Sequence, residues 1–528
     1  MATNAANSTI DLKGKLPLRA KIGYGGIGMH TMATVFYSTW QMYFYTTFAG
    51  IDMLSAGTIA SIGTILAAFT APVWGYISDR LYSTKLGRKY GRRRLTLAIS
   101  LPGSFFNLVQ FIPGLPIPVY AITNFLGIMF TGGISTVQYV LPSEMSSNQQ
   151  QRAQLVGINQ ITVAVANIVV AVSSTLLFSV WGQDRWTTFF GMLAIYMVFS
   201  IGVLILTICT IRERPYDETT DLSQADSNTG SSEEKVPLLK RIPLIVWNYV
   251  SAFSVREFRN YLGMYLCQCL FRSVRGAILT YFLIFVLGLQ AADVSISQGV
   301  SFAFGIALVG FFMWLNSKIG GTKAYRVGAG EAIVVFLLMF GLAQVHEDLG
   351  RAGTVACWIA LTLALNFGIT GVVNACDLHF SFMPDVDEAL TGKRREAQFA
   401  SINSTIDNIF YSIEKIAIAA VLAGVGFVSG AESQPEPVVN ALAQIFCFVP
   451  IALCLAGIFF SFRVKLNDKN REVLSAEIER LRNGGSKADV TPEAKAVVEE
   501  LTGWKYENCW GNNRVVNFTK QVERSTEA

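Results

Sequence analysis

Apolar residues in this chain gather in long unbroken blocks, not in the narrow stripe of a surface helix. A helix must offer roughly 20 apolar residues to cross a hydrocarbon core. Twelve blocks meet that test, covering approximately 22–48, 56–77, 95–112, 119–141, 153–180, 187–211, 261–288, 296–315, 327–345, 355–382, 399–428 and 438–462. The pattern predicts an all-α membrane protein of twelve transmembrane helices. A polar interruption after the sixth block divides them into two six-helix halves.

The polar segments orient the helices, because Lys and Arg collect on the cytoplasmic side of short loops. Arg80, Lys85, Arg88, Lys89, Arg92, Arg93 and Arg94 fill the second-to-third loop. Lys318, Lys323 and Arg326 lie in the eighth-to-ninth, and Lys393, Arg394 and Arg395 in the tenth-to-eleventh. The first-to-second, third-to-fourth, seventh-to-eighth and eleventh-to-twelfth loops carry neither residue type. Both termini are therefore expected in the cytoplasm. The expected order is a cytoplasmic amino terminus (1–21), six helices (22–211), a cytoplasmic linker (212–258), six helices (259–462) and a cytoplasmic tail (463–528). The stretch 212–240 is rich in Asp, Glu, Ser and Thr and reads as flexible. In the tail, Leu474, Ile478 and Leu481 recur at helical spacing before Gly484-Gly485. A second helix is expected from Thr491-Pro492-Glu493, with Thr as cap and Pro in the first turn, up to Gly503. The two together predict a small amphipathic hairpin lying on the membrane domain or the bilayer.

Composition removes several classes. Of 528 residues, 52% are hydrophobic and only 15% charged, against about a quarter charged in soluble domains. The eight cysteines include no CxxC pair, and all but Cys509 sit in apolar blocks, so neither a disulfide framework nor a zinc site is expected. No cleavable leader is expected either. No GxxxxGK[ST] phosphate loop is present and the polar segments are too short for a nucleotide domain, which argues against an ATP-driven pump. The expectation is a multi-pass protein of the cell inner (plasma) membrane. It is not expected to be an enzyme, or to use a cofactor, a metal or a nucleic-acid partner.

Two sets of motifs carry a family resemblance. Gly75-x-x-x-Asp79-Arg80, followed by Gly87-Arg88-Lys89 and Gly91-Arg92-Arg93-Arg94, resembles the loop signature of the major facilitator superfamily. The resemblance implies a conformational latch at Asp79, Arg80, Arg88 and Arg92. Gly23-Tyr24-Gly25, the run from Tyr43 to Gly50, and Ala71-Pro72-Val73-Trp74-Gly75-Tyr76 come next. With them go Pro384-Asp385-Val386-Asp387-Glu388, Thr391-Gly392-Lys393-Arg394-Arg395-Glu396 and a helix bearing Lys415. Together these resemble the glycoside–pentoside–hexuronide:cation symporters of melibiose permease type. That implies the major facilitator fold and a sugar or glycoside as solute. Sodium-coupled members carry acidic residues where this chain has Ala67 and Ala71, and their Asp of helix four falls near Ile134. Sodium coupling at the usual site is therefore not expected.

Charges at mid-bilayer are costly and each needs a partner or a task. Arg272 and Arg275 share a face of helix seven, and Asp407, Glu414 and Lys415 lie in helix eleven. Asp377 and His379 lie near the cytoplasmic end of helix ten, and Glu331 lies in helix nine, close to Arg326. Arg272 and Arg275 are expected to pair with Asp407 or Glu414, with Lys415 alongside. Asp407, Glu414 and Asp377 are the candidate proton and coupling groups. Helix one offers Tyr37, Trp40 and Gln41 as solute contacts beside Arg272, Arg275 and Lys415, whereas Tyr43 and Tyr45 read as interface aromatics. The function expected is a secondary-active symporter for a sugar or glycoside, with a proton as coupling ion and the lipid bilayer as surroundings. An uncoupled facilitator, or a carrier of a uronide, an organic anion or a lipid, is the alternative.

Overall fold

The computed structural model describes residues 16–146, 149–211, 251–392 and 396–511. The expected flexible stretch at 212–240 lies outside the described residues. All regular structure among the described residues is helical. The first block folds as α1 (Leu18–Met29) and α2 (Thr31–Thr47), which abut at His30. α3 (Met53–Arg80) begins on an Asp52 cap that accepts from the Ser55 amide at 2.9 Å. The loop helix α4 (Lys85–Tyr90) gives way to α5 (Arg92–Ser100) at Gly91, whose φ of +94° favours glycine. The third block, expected as one helix, is divided: α5 ends at Ser100 and α6 (Gly103–Val109) follows Pro102. The proline ring removes an amide donor there and crowds the preceding turn. α7 (Ile117–Met145), α8 (Gln149–Trp181) and α9 (Trp186–Thr210) complete the first series.

Beyond residue 251 come α10 (Arg256–Tyr281), prolonged by a π turn at Phe282–Val286, then α11 (Ala291–Ile319) and α12 (Gly321–Phe380). α12 is two helices: Gly350, at φ +64° and ψ 170°, breaks it between the ninth and tenth blocks. α13 (Met383–Thr391), α14 (Glu396–Gly424) and α15 (Glu436–Arg463) follow. Each apolar block read from the sequence lies on one of these helices or abutting pairs. Among the described residues, six helical stretches are long and apolar enough to cross a membrane, one of them the whole of Gly321–Thr391.

The described residues form two compact units. The first joins the described residues up to 211 with Thr280–Ala303 and Ser412–Ala441. One close seam in it is α1 on α8 and α9. Close approach of backbones, not hydrophobicity, drives helix association in lipid. A side chain at Gly26 would collide with Thr207 and Val203, and one at Gly28 with Thr162 and Asn159. The glycine motif of helix one is therefore a packing face. In the same unit, the segments from 280 and from 412 are stitched to the amino-terminal helices by neutral hydrogen bonds. The Tyr281 and Thr46 hydroxyls lie 2.9 Å apart, and the Gly430 amide donates to the Thr46 carbonyl at 2.8 Å. Ser429 donates to the Ile51 carbonyl at 3.0 Å, Thr175 to the Ala292 carbonyl at 3.3 Å and Ser412 to the Ser61 carbonyl at 3.1 Å.

The second unit holds the remaining helices and the tail, α16 (Asp468–Arg482) and α17 (Pro492–Thr502). α17 starts as expected, the Thr491 hydroxyl accepting from the Ala494 amide at 3.2 Å. The tail docks on protein. Arg482 grips Glu388 of α13 with two hydrogen bonds, at 2.5 and 2.6 Å. The Trp510 amide donates to the Ala389 carbonyl at 2.9 Å. Glu257, in the first turn of α10, accepts from the Lys465 and Leu466 amides at 2.8 and 2.7 Å.

Candidate functional site

The loop signature folds into an ionic knot within the first unit. Arg92 donates to Glu144 Oε1 at 2.5 Å. Arg93 reaches the same oxygen through Nη2 at 2.7 Å and Nε at 3.1 Å, and its Nη1 donates to the Ser78 hydroxyl at 2.6 Å. Arg88 donates to the Tyr82 carbonyl at 2.8 Å, and Arg94 to the Ile211 carbonyl at 2.5 Å. Arg93 is only 4% exposed. The knot ties α3, α5 and α7 together. Asp79 and Arg80 close α3, but their side chains lie outside the described residues. The sequence pointed to Arg92 as a latch residue but to neither Arg93 nor Glu144; an acid just past the fourth apolar block, with a triple arginine in the second-to-third loop, was the available signal.

Tyr37, Gln41 and Tyr45 fall four residues apart on one face of α2 and share one buried network with Gln110 and Asn124. Tyr37 donates to Gln110 Oε1 at 2.8 Å and to Asn124 Oδ1 at 3.0 Å. Gln41 Nε2 donates to the Tyr45 oxygen and to Gln110 Oε1, both at 3.1 Å. Tyr45 donates to Gln110 at 2.5 Å, and Asn124 Nδ2 to the Ile59 carbonyl at 2.9 Å. Tyr45 is thus a fully buried network member and not an interface aromatic. Trp40, 1% exposed, packs edge-on to Tyr43, Phe178 and Phe189. These side chains are already satisfied by protein partners.

The second unit carries a polar ladder between α10 and α14. Residues 261, 265 and 269 line one helix, and 403, 407 and 411 the other, at the four-residue spacing that keeps a face constant. Asn403 donates to the Tyr261 oxygen at 3.2 Å. Tyr265 donates to Asp407 Oδ2 at 2.6 Å, a charge-assisted contact when Asp407 is ionised. Cys269 lies among Tyr265, Asp407 and Tyr411, and takes a bond from Gln268 Nε2 at 2.9 Å. Arg272 is close enough to act electrostatically on both Asp377 and Asp407, and touches Gln268 at 3.4 Å. Arg272 and Asp377 are exposed, while Asp407 and Arg275 are half-buried. Among the described residues of this unit, no acid lies within ion-pair distance of Arg272 or Arg275. The tyrosine at 265, not an arginine, holds Asp407. Tyr265 was legible only as one aromatic in an apolar block.

Lys415 and Glu414 belong to the first unit. Lys415 donates to the Thr64 hydroxyl on α3 at 2.8 Å, with the buried Glu414 as its neighbour in charge. Glu331 packs against Gly368, where a side chain would meet its carboxylate oxygen. Among the described residues no cluster of His, Cys, Asp and Glu is arranged to hold a metal.

Long apolar helices with polar and ionisable groups set into them mark a multi-pass membrane protein. The chain belongs to the MFS/sugar transport protein family, whose model matches residues 21–468. It is 24% identical over 514 residues to the uncharacterized symporter sll1374 of Synechocystis sp., covering 80% of this chain and 89% of that protein. It is 22% identical over 428 residues to the isoprimeverose transporter of Lactiplantibacillus pentosus, covering 78% and 81%. The crystal structure of a D-xylose-proton symporter superposes with a TM-score of 0.52 at 14% identity, covering 85% of this chain and 96% of that one. At that identity the likeness is one of fold.

Proposed function

We propose that this chain is a symporter that carries a sugar or glycoside across the plasma membrane by alternating access, with a proton as the coupling ion. In this reading twelve helices cross the bilayer, the termini are cytoplasmic, and the two halves rock about a central site. The relatives named as symporters and as an isoprimeverose transporter support the solute class. The observation that carries the coupling is Asp407. It is a half-buried carboxylate midway along α14; Tyr265 holds its Oδ2, and its Oδ1 accepts no hydrogen bond of normal geometry. A carboxylate with a free oxygen beside an arginine can take up a proton or a solute hydroxyl without rebuilding its surroundings. Arg272, Arg275 and Lys415 are the groups proposed to meet solute oxygens. Asp377 and Glu414 are proposed to share the charge. Tyr37, Trp40 and Gln41 would reach solute only if their buried network opens. Arg88 and Arg92, with Asp79 and Arg80, are proposed as latch elements alongside Arg93 and Glu144.

The test is uptake of labelled isoprimeverose, xylose and related glycosides into proteoliposomes under an imposed pH or sodium gradient. Asp407→Asn should keep solute exchange down a gradient and lose pH-driven accumulation. Full accumulation by that variant would sink the coupling assignment. A specific observation favours a second reading of the solute. Neither Arg272 nor Arg275 has an ion pair among the described residues of its unit, which suits a carboxylated sugar. Competition of uptake by a uronide, absent with the neutral sugar, distinguishes the two.

A further inference from the structure

A cavity of about 350 Å³ lies in the second unit where α11 turns into α12, the end of α12 and the tail meet. That volume is in the ~300–1,000 Å³ range of small-ligand sites. Its wall carries four cations from two remote parts of the chain, Lys318 and Lys323 from the turn and Lys469 and Arg471 from α16. Positive-inside topology accounts for basic residues in the turn. It does not account for a concave arrangement completed by the tail.

Three details suit the cavity to an anion. The turn is a single residue, Gly320, whose φ of +83° starts α12 with no side-chain cap. The first amides of a helix lack intrahelical partners and favour negative charge, and Gly321, Thr322 and Lys323 line the cavity. Gly321 is also bare because the ring of His379, itself 4% exposed, fills the place of its side chain. Finally, the Arg471 guanidinium lies over the Phe382 ring, 4.8 Å from its centre. Lys469 bonds Glu493 at 2.9 Å, but both are largely exposed, and exposed pairs are weak enough to exchange. Lys318 and Lys323 are exposed and form no ion pair among the described residues.

We propose that this cavity binds a phosphate-bearing anion, and that the bound anion fastens the tail to the turn between α11 and α12. The phosphate belongs either to a soluble anion or to a lipid headgroup. The site is separate from the ladder around Asp407 and does not rest on the assignment of solute or coupling ion.

The experiment is hydrogen–deuterium exchange on the full chain, following peptides that cover 318–324 and 466–471. One arm adds inorganic pyrophosphate to protein in phosphatidylcholine nanodiscs at constant ionic strength. The other replaces part of the phosphatidylcholine with phosphatidylglycerol. Protection of both peptides by pyrophosphate assigns a soluble anion, and protection by phosphatidylglycerol alone assigns a headgroup. Lys318→Ala with Lys323→Ala should weaken the protecting ligand by about tenfold or more, while the Lys→Arg pair should retain it. Lys469→Ala, at a largely exposed position, should weaken it too. Absence of protection in both arms, or protection undiminished in the Lys→Ala variants, overturns the proposal.

Discussion

Glu144 gives the most direct test of the ionic knot. Glu144→Gln keeps the side-chain shape and one acceptor oxygen, and removes only the charge. In the native knot Oε1 accepts three guanidinium hydrogen bonds, at 2.5, 2.7 and 3.1 Å. The substitution leaves both guanidinium groups charged but without the Glu144 counter-ion. The variant also leaves the guanidinium of Arg93, 4% exposed, facing a neutral amide. Breaking a buried pair typically costs about 3–5 kcal/mol. The expected loss is therefore about 3 kcal/mol. The assay is denaturant unfolding of purified protein in mild detergent, read by tryptophan fluorescence, together with solute exchange in proteoliposomes. Arg93→Gln combined with Glu144→Gln should be less damaging than the sum of the two single changes, with a coupling of at least about 1 kcal/mol. A Glu144→Gln protein within about 0.5 kcal/mol of the parent, or a coupling of zero, would refute the reasoning.

Four further outcomes are expected. Tyr265→Phe should reduce pH-driven accumulation several-fold while leaving exchange intact, because it frees Asp407 Oδ2 without removing the carboxylate; parallel uptake and counterflow assays check this. Uptake at fixed pH should be indifferent to sodium, since Ala67 and Ala71 supply no charged oxygen; steep sodium stimulation would count against it. Gly26→Val should cost folded protein, seen as loss of a monodisperse chromatographic peak, because the added side chain meets Thr207 and Val203. In the tail, burial alone would raise the Glu477 carboxyl, but bonds from Arg480 at 2.8 and 2.9 Å and from Tyr506 hold it below its ordinary 4.5. A carboxyl lowered in the folded state stabilises fully above its unfolded value and ceases to as pH falls through the folded one. Exchange protection of α16 and α17 should therefore persist down to about pH 5 and decline below 4.5.

Much of the fold was written in block length. Every apolar block lies on helix because a lipid-embedded backbone has few other ways to satisfy its amides. Local chemistry also announced the caps at Thr491 and the break after Gly484. The division of the third block needed attention to Pro102. The Gly350 joint between two blocks was visible only as a glycine in a polar gap. The site was less legible. Charge counting singled out Asp407, Arg272 and Arg275 but assumed that opposite charges in neighbouring helices must touch. Helix rotation decides that, and it turns Tyr265 and not an arginine towards Asp407. Trp40 and Tyr45 show the same limit, since amphipathic rings suit a solute, an interface or a core equally well.

The stitching of the segments at 280–303 and 412–441 to the amino-terminal helices has a consequence for engineering. Its acceptors are largely main-chain carbonyls, at Thr46, Ile51, Ser61 and Ala292. The donors at Ser429, Ser412 and Thr175 are side-chain hydroxyls, so one replacement removes one bond and leaves the rest, and separating these segments calls for several substitutions at once.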